Sequence, residues 1–135
     1  GQRLRLDSNG RPVVVSADIV HNPSTDGPVV WVDVFDPVSG EIVNSYNNEI
    51  TAGMGLTIDV APGPCGELFV VGQRDYTAWV ASLDDDGIVW DDTFEYDAAL
   101  YADVAEDGAL VVVGQASVPD ASVLTIGPWI ARYEP

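Results

Sequence analysis

Lysine is absent from this chain of 135 residues, and cysteine and histidine occur once each, as Cys65 and His21. A lone thiol forms no internal disulfide, and one histidine cannot furnish a two-histidine metal site. Positive charge is scarce as well: Arg3, Arg5, Arg11, Arg74 and Arg132 stand against 22 acidic residues, for a net charge of −17. Such a surface repels phosphate backbones, which excludes nucleic acid as a partner. No apolar run approaches the ~20 residues of a bilayer span, so no membrane span is expected. Helical periodicity is nearly missing too.

What is present is apolar and repetitive. The chain is 47% hydrophobic with 13 Gly and 9 Pro, too apolar for a disordered acidic tail. Gly10 precedes Val13-Val14-Val15-Ser16, Gly66 precedes Phe69-Val70-Val71-Gly72, and Gly108 precedes Val111-Val112-Val113-Gly114. The offset from first glycine to last residue is 6 each time, one tight turn plus one short strand. Trp31, Trp79 and Trp129 then head three further similar strands, and Asp-rich turns close at Gly40 and Gly87. Upstream, Leu56 to Val60 and Leu100 to Val104 recur, placing Asp59 and Asp103 at equivalent sites; Gln2 to Leu6 is a degenerate first copy. In the middle copy the strands are Leu56 to Val60, Glu67 to Gln73, Ala78 to Leu83 and Ile88 to Phe94. They are Val-rich on both faces, so both sides of each small sheet need cover.

A four-stranded antiparallel unit of this kind, stacked face to face with its neighbours, is a β-propeller blade. The expected fold is all-β, with blades at residues 1–50, 51–98 and 99–135, the last lacking its outer strand. Closed propellers use about four to eight blades, so three form an incomplete ring that needs further blades. An apolar end face of ~500 Å² left in water forfeits about 12 kcal/mol, comparable with a domain's net stability. Further blades, from copies of this chain as a homo-oligomer or from the rest of a longer protein, are therefore the expected partners.

The Val-rich strand ending in Gly, the Trp-Val-Ala strand, the Leu-Asp-x-x-Gly turn and the following Val-Trp resemble bacterial propeller-repeat proteins of the extracellular type. More loosely they are similar to quinoprotein blades. Blade 1 has Phe35-Asp36-Pro-Val-Ser-Gly40 with the right spacing but Asn44 where tryptophan would dock; blade 2 has Trp90 with shortened spacing. The resemblance implies a secreted, cell-surface or periplasmic recognition or scaffold module, and no cofactor is carried over from it.

Chemistry-bearing residues are few. Asp84-Asp85-Asp86-Gly87 invites a calcium reading, but its glycine is fourth rather than sixth in the loop, and a hairpin turn bonded by Asp side chains accounts for the same run. Asp59 and Asp103 on the inner strands are expected to tie blades together. No Gly-x-Ser-x-Gly is present and His21 sits in a long loop, so no catalytic residue is assigned. The three repeated tryptophans read as packing between sheets, and Cys65 as a buried or half-buried turn residue. Inter-blade and second-to-third-strand loops share one face. That face gathers Tyr46, Asn47, Asn48, Glu49, Arg74, Tyr76, Glu95, Tyr96 and Asp97, whose aromatic, amide and acidic groups suit a glycan, protein or cation. The leading reading is a non-enzymatic module for binding or assembly. A fragment of a propeller enzyme, quinoprotein-like or hydrolytic, with its active site in other blades, and a structural self-assembling element are the alternatives.

Overall fold

A computed structural model of the chain describes residues 3–18, 29–47, 56–75, 77–96, 98–119 and 124–134. Among them there is no helix, and eleven strands form three antiparallel sheets joined in simple up-and-down order. Blade 1 contains β1 (Arg3–Leu6), β2 (Pro12–Asp18), β3 (Val29–Phe35) and β4 (Ile42–Asn47); blade 2 contains β5 (Leu56–Pro62), β6 (Leu68–Arg74), β7 (Thr77–Asp84) and β8 (Gly87–Phe94). Blade 3 contains β9 (Ala98–Val104), β10 (Leu110–Pro119) and β11 (Leu124–Tyr133). The fold is thus all-β and blade-like, with no sheet closed into a barrel. In blade 3 the pairing between β10 and β11 continues to Pro119 opposite Leu124. His21 lies outside the described residues.

The repeat is a structural one. The first hairpin of each blade closes on a glycine in the left-handed region, Gly10 at φ 74°, Gly66 at 95° and Gly108 at 86°, where a side chain is strained. The third and fourth strands of blades 1 and 2 bulge at matching places, between Val34 and Phe35 and between Ser82 and Leu83. Each repeated tryptophan is paired across the sheet with a small residue: Trp31 with Ser16, Trp79 with Gly72 and Trp129 with Gly114. A methyl group at Gly114 would overlap both the Ala98 carbonyl and the Trp129 indole, so this glycine is the floor on which the ring lies.

Strand alternation then sorts the apolar residues between two joints. Val13, Val15, Val32 and Val34 of blade 1 pack on Val60, Val70, Trp79, Ala81 and Leu83 of blade 2. The opposite face of blade 2, with Val71, Ala78 and Val80, packs on Ala99, Ala102, Leu110 and Val112 of blade 3, with Trp129 against it. Trp79 and Trp129 therefore serve the same packing role, each turned towards the preceding blade. Trp79 is fully buried and Trp129 half-buried.

One carboxylate links all three blades. Asp59 is fully buried on β5; its Oδ2 accepts the Ala102 N–H of blade 3 at 3.1 Å and meets the Arg5 guanidinium of blade 1 at 3.3 Å. Arg3, two residues earlier on the same strand, lies 4.8 Å over the ring of Tyr101 in blade 3. Asp103 does not repeat this role: it is exposed, and its carboxylate accepts the N–H of Val104 next to it. Register supplies the reason. Asp59 pairs with Val71 whereas Asp103 pairs with Val111, the counterpart of Phe69, so the two extra residues of the β5–β6 turn shift the frame. Tyr101 holds the place on blade 3 that Asp59 holds on blade 2.

Asp59→Ala strands the buried Ala102 N–H, and urea unfolding should show a loss of about 1–3 kcal/mol. Arg5→Ala removes the counter-charge of a fully buried carboxylate and should also destabilise, by about 3 kcal/mol. An Asp59→Ala chain as stable as the natural one would contradict the central place given to the carboxylate. Gly114→Ala forces a methyl between the Ala98 carbonyl and Trp129, with an expected cost of about 1–3 kcal/mol and a change in near-ultraviolet tryptophan dichroism.

Candidate functional site

The loop-face residues named from sequence meet different fates. Tyr46 and Asn47 end β4 and are buried. The Tyr46 ring belongs to the joint between blades 1 and 2, and its hydroxyl accepts a hydrogen bond from Asn44 Nδ2 at 2.8 Å. Burial, followed by the charges of Asp85 and Asp84, pushes its phenol up to about 12. Arg74, at the end of β6, pairs with Asp91 and lies 5.2 Å over the Trp79 ring, while Trp79 Nε1 donates to the same carboxylate at 3.2 Å. Glu95 and Tyr96 follow β8 and are exposed. Tyr96 stacks on Trp129 at 4.9 Å and its carbonyl accepts the Ala78 N–H at 2.6 Å. Asn48, Glu49, Tyr76 and Asp97 lie outside the described residues.

The acidic run forms a tight hairpin, with Asp84 paired to Gly87 and its Oδ1 accepting the Asp86 N–H at 2.9 Å. Among the described residues no three His, Cys, Asp or Glu side chains converge to hold an ion. Other acids are also turn builders. The N–H groups of Ser39 and Val38 bond the Asp36 carboxylate and hold it below the usual carboxylate range. At Asp107 the Ala109 N–H and the Arg132 guanidinium do the same. Asp7 is the buried member: desolvation opposes its charge, but the Arg11 N–H and side chain and the Asn9 N–H outweigh it and lower the pKa. Cys65, expected to be at least half-buried, is exposed, because it sits at the tip of the β5–β6 turn.

A concave site exists elsewhere, between blades 2 and 3 at the end where the first hairpins turn. This cavity of about 440 Å³ is walled by Phe69 and Trp90 from blade 2 and Tyr133 from blade 3, with Ser82 and Leu110 lining it and Glu67 at its edge. The ring centroids of Trp90 and Tyr133 are 5.8 Å apart and those of Phe69 and Trp90 6.2 Å. Tyr133 donates to Asp92 at 3.4 Å; burial, then that carboxylate, pushes its phenol well above the ordinary tyrosine range. Further along, Phe94 and Tyr96 extend the aromatic line to Trp129.

The corresponding joint between blades 1 and 2 is built from the same repeat positions with different side chains. Phe69, Ser82, Leu110 and Tyr133 are replaced there by Val13, Val34, Leu68 and Leu83, all buried in contact. Asn44 stands in the place of Trp90, and its amide bonds Tyr46 and, at 3.3 Å, Asp85. The interior of the first joint is filled, with a polar hollow of about 360 Å³ at its rim between Asn9, Arg11, Glu67, Asp84 and Asp85, and the second is left open with aromatic walls. Sequence reasoning singled out Trp90 as a docking residue but missed the cavity; the available signal was three aromatics at positions whose blade 1–2 counterparts are Val13, Asn44 and Leu83.

No protein-family model and no curated protein matches the chain. Its class rests on the fold and the joints themselves: an all-β protein of propeller-type blades.

For Tyr46 the raised pKa means that folding favours the neutral phenol. An unfolded tyrosine ionises near 10 and the folded one near 12, so this contribution is complete below pH 10 and is lost as pH rises to 12. The urea midpoint of the natural chain should fall across that window, and Tyr46→Phe should flatten the fall. An unchanged slope in the variant would remove Tyr46 as its source.

Proposed function

We propose that this chain is a non-enzymatic propeller module for binding or assembly, whose two end faces take further blades supplied by a second copy. The observation that carries the reading is the character of those faces. On blade 1, Leu4 and Leu6 are each 63% exposed beside half-buried Val14, Trp31 and Phe35. On blade 3, Ile130 is 72% exposed, next to Val113 and Tyr101 across the sheet. Trp31 occupies the position at which Trp79 and Trp129 pack on a preceding blade. Val111 and Val113 correspond to Phe69 and Val71, which face a following one. The two ends are therefore complementary to each other in the way that the internal faces are, which favours head-to-tail association. Tyr96, exposed and stacked on Trp129, and the exposed Glu95 next to it in sequence support a ligand-facing role for the loop side. A secreted, surface or periplasmic setting fits the resemblance to extracellular propeller repeats.

Sedimentation equilibrium should give a mass that is a multiple of 14.4 kDa. Leu4→Arg and Val113→Arg, at opposite ends, should each return the chain to a monomer, and an equimolar mixture of the two should recover dimer through the one pair of intact faces. A natural chain that stays monomeric at high concentration, or variants that fail to complement, would sink the head-to-tail reading.

A further inference from the structure

We propose that the cavity between blades 2 and 3 is a binding site for a small quaternary ammonium solute. This stands apart from assembly, because every residue that forms the site belongs to blades 2 and 3 and none to the outer end faces. Three observations converge on it. First, the walls are aromatic: Trp90, Tyr133 and Phe69 present ring surface to a space of about 440 Å³, ample for a trimethylammonium group. Ring faces attract cations, and Trp does so most strongly. Trp90 remains 37% exposed, so its indole is open to a ligand.

Second, the lining is mostly apolar, and its carboxylates also bond groups of the chain itself: Glu67 Oε2 accepts the Cys65 N–H at 3.0 Å and Glu134 Oε1 accepts Arg132 Nε at 3.0 Å. A primary ammonium or a guanidinium needs an acceptor for each of its N–H groups, and apolar ring walls supply few. A methylated ammonium has no N–H to satisfy and needs only ring faces plus a negative field. The carboxylates of Glu67 and Glu134, with Asp92 on the Tyr133 hydroxyl, in a chain of net charge −17, supply that field.

Third, the aromatic lining is specific to this joint. The same repeat positions between blades 1 and 2 carry Val13, Val34, Leu68 and Leu83 in closed contact. The hollow of about 360 Å³ at the rim of that joint is lined by polar side chains such as Asn9, Arg11, Glu67, Asp84 and Asp85, with no aromatic ring among them.

The test uses the full chain, with tryptophan fluorescence and calorimetry against tetramethylammonium and choline as probes. The neutral isostere of choline, 3,3-dimethylbutan-1-ol, separates charge from shape. Both cations should bind, and the isostere should bind about tenfold more weakly. Trp90→Leu should weaken choline binding about tenfold with the melting curve retained, whereas Tyr133→Phe, which keeps the ring, should bind as the natural chain does. Should Trp90→Leu fail to fold, Phe69→Leu serves as the wall variant, with weaker binding expected. Equal affinity for choline and its isostere, no binding of either cation, or binding indifferent to the wall variants would each overturn the proposal. Tighter binding of methylammonium than of tetramethylammonium would overturn it as well, by showing that N–H acceptors rather than ring faces make the site.

Discussion

A short antiparallel sheet that is apolar on both sides can be stable in water only between two neighbours, and this requirement organises the whole molecule. Val70 faces blade 1 while Val71, the next residue, faces blade 3, because successive side chains on a strand leave opposite faces. Blade 2 satisfies the requirement within the chain. Blades 1 and 3 satisfy it on one side each, and their outer faces keep apolar residues at repeat positions, Leu4, Leu6 and Trp31 on one and Val111, Val113 and Ile130 on the other.

The contact between sheets depends on where bulk is allowed. Trp79 and Trp129 fit against the preceding blade with a glycine, Gly72 or Gly114, as cross-strand neighbour, and Trp31 has Ser16 at the same place. At the outer part of the joint the choice of side chain then decides between closure and cavity. Val13 and Leu83 meet in a closed cluster, whereas Phe69 and Tyr133 line a ring-walled space.

The large negative charge has a local use. Many of the aspartates described sit in hairpins, where a carboxylate accepts nearby N–H groups, as Asp36 and Asp107 do. Two of the five arginines cross from blade to blade, Arg5 to Asp59 and Arg3 to Tyr101, whereas Arg11, Arg74 and Arg132 pair with acids of their own blades. Asp59 joins three sheets, through one oxygen that serves blade 1 and blade 3 together.

Strand content, repeat length and hairpin glycines were legible in the chain because each follows from neighbouring residues: period-two alternation, a fixed six-residue offset and the conformational freedom of Gly10, Gly66 and Gly108. The packing role of Trp79 followed for the same reason. The difference between Asp59 and Asp103 was not legible, since a two-residue lengthening of the β5–β6 turn moves the carboxylate two pairs along the ladder without altering the local motif. Nor was the burial of Tyr46 and Asn47, whose polar sequence reads as loop until β4 is seen against blade 2. The amino-acid order by itself determined which residues form strands and turns, through short-range alternation and turn chemistry. Which carboxylate spans the blades, and which joint stays open, was decided only when residues over forty positions apart came into contact, because register and packing belong to pairs of strands and not to one.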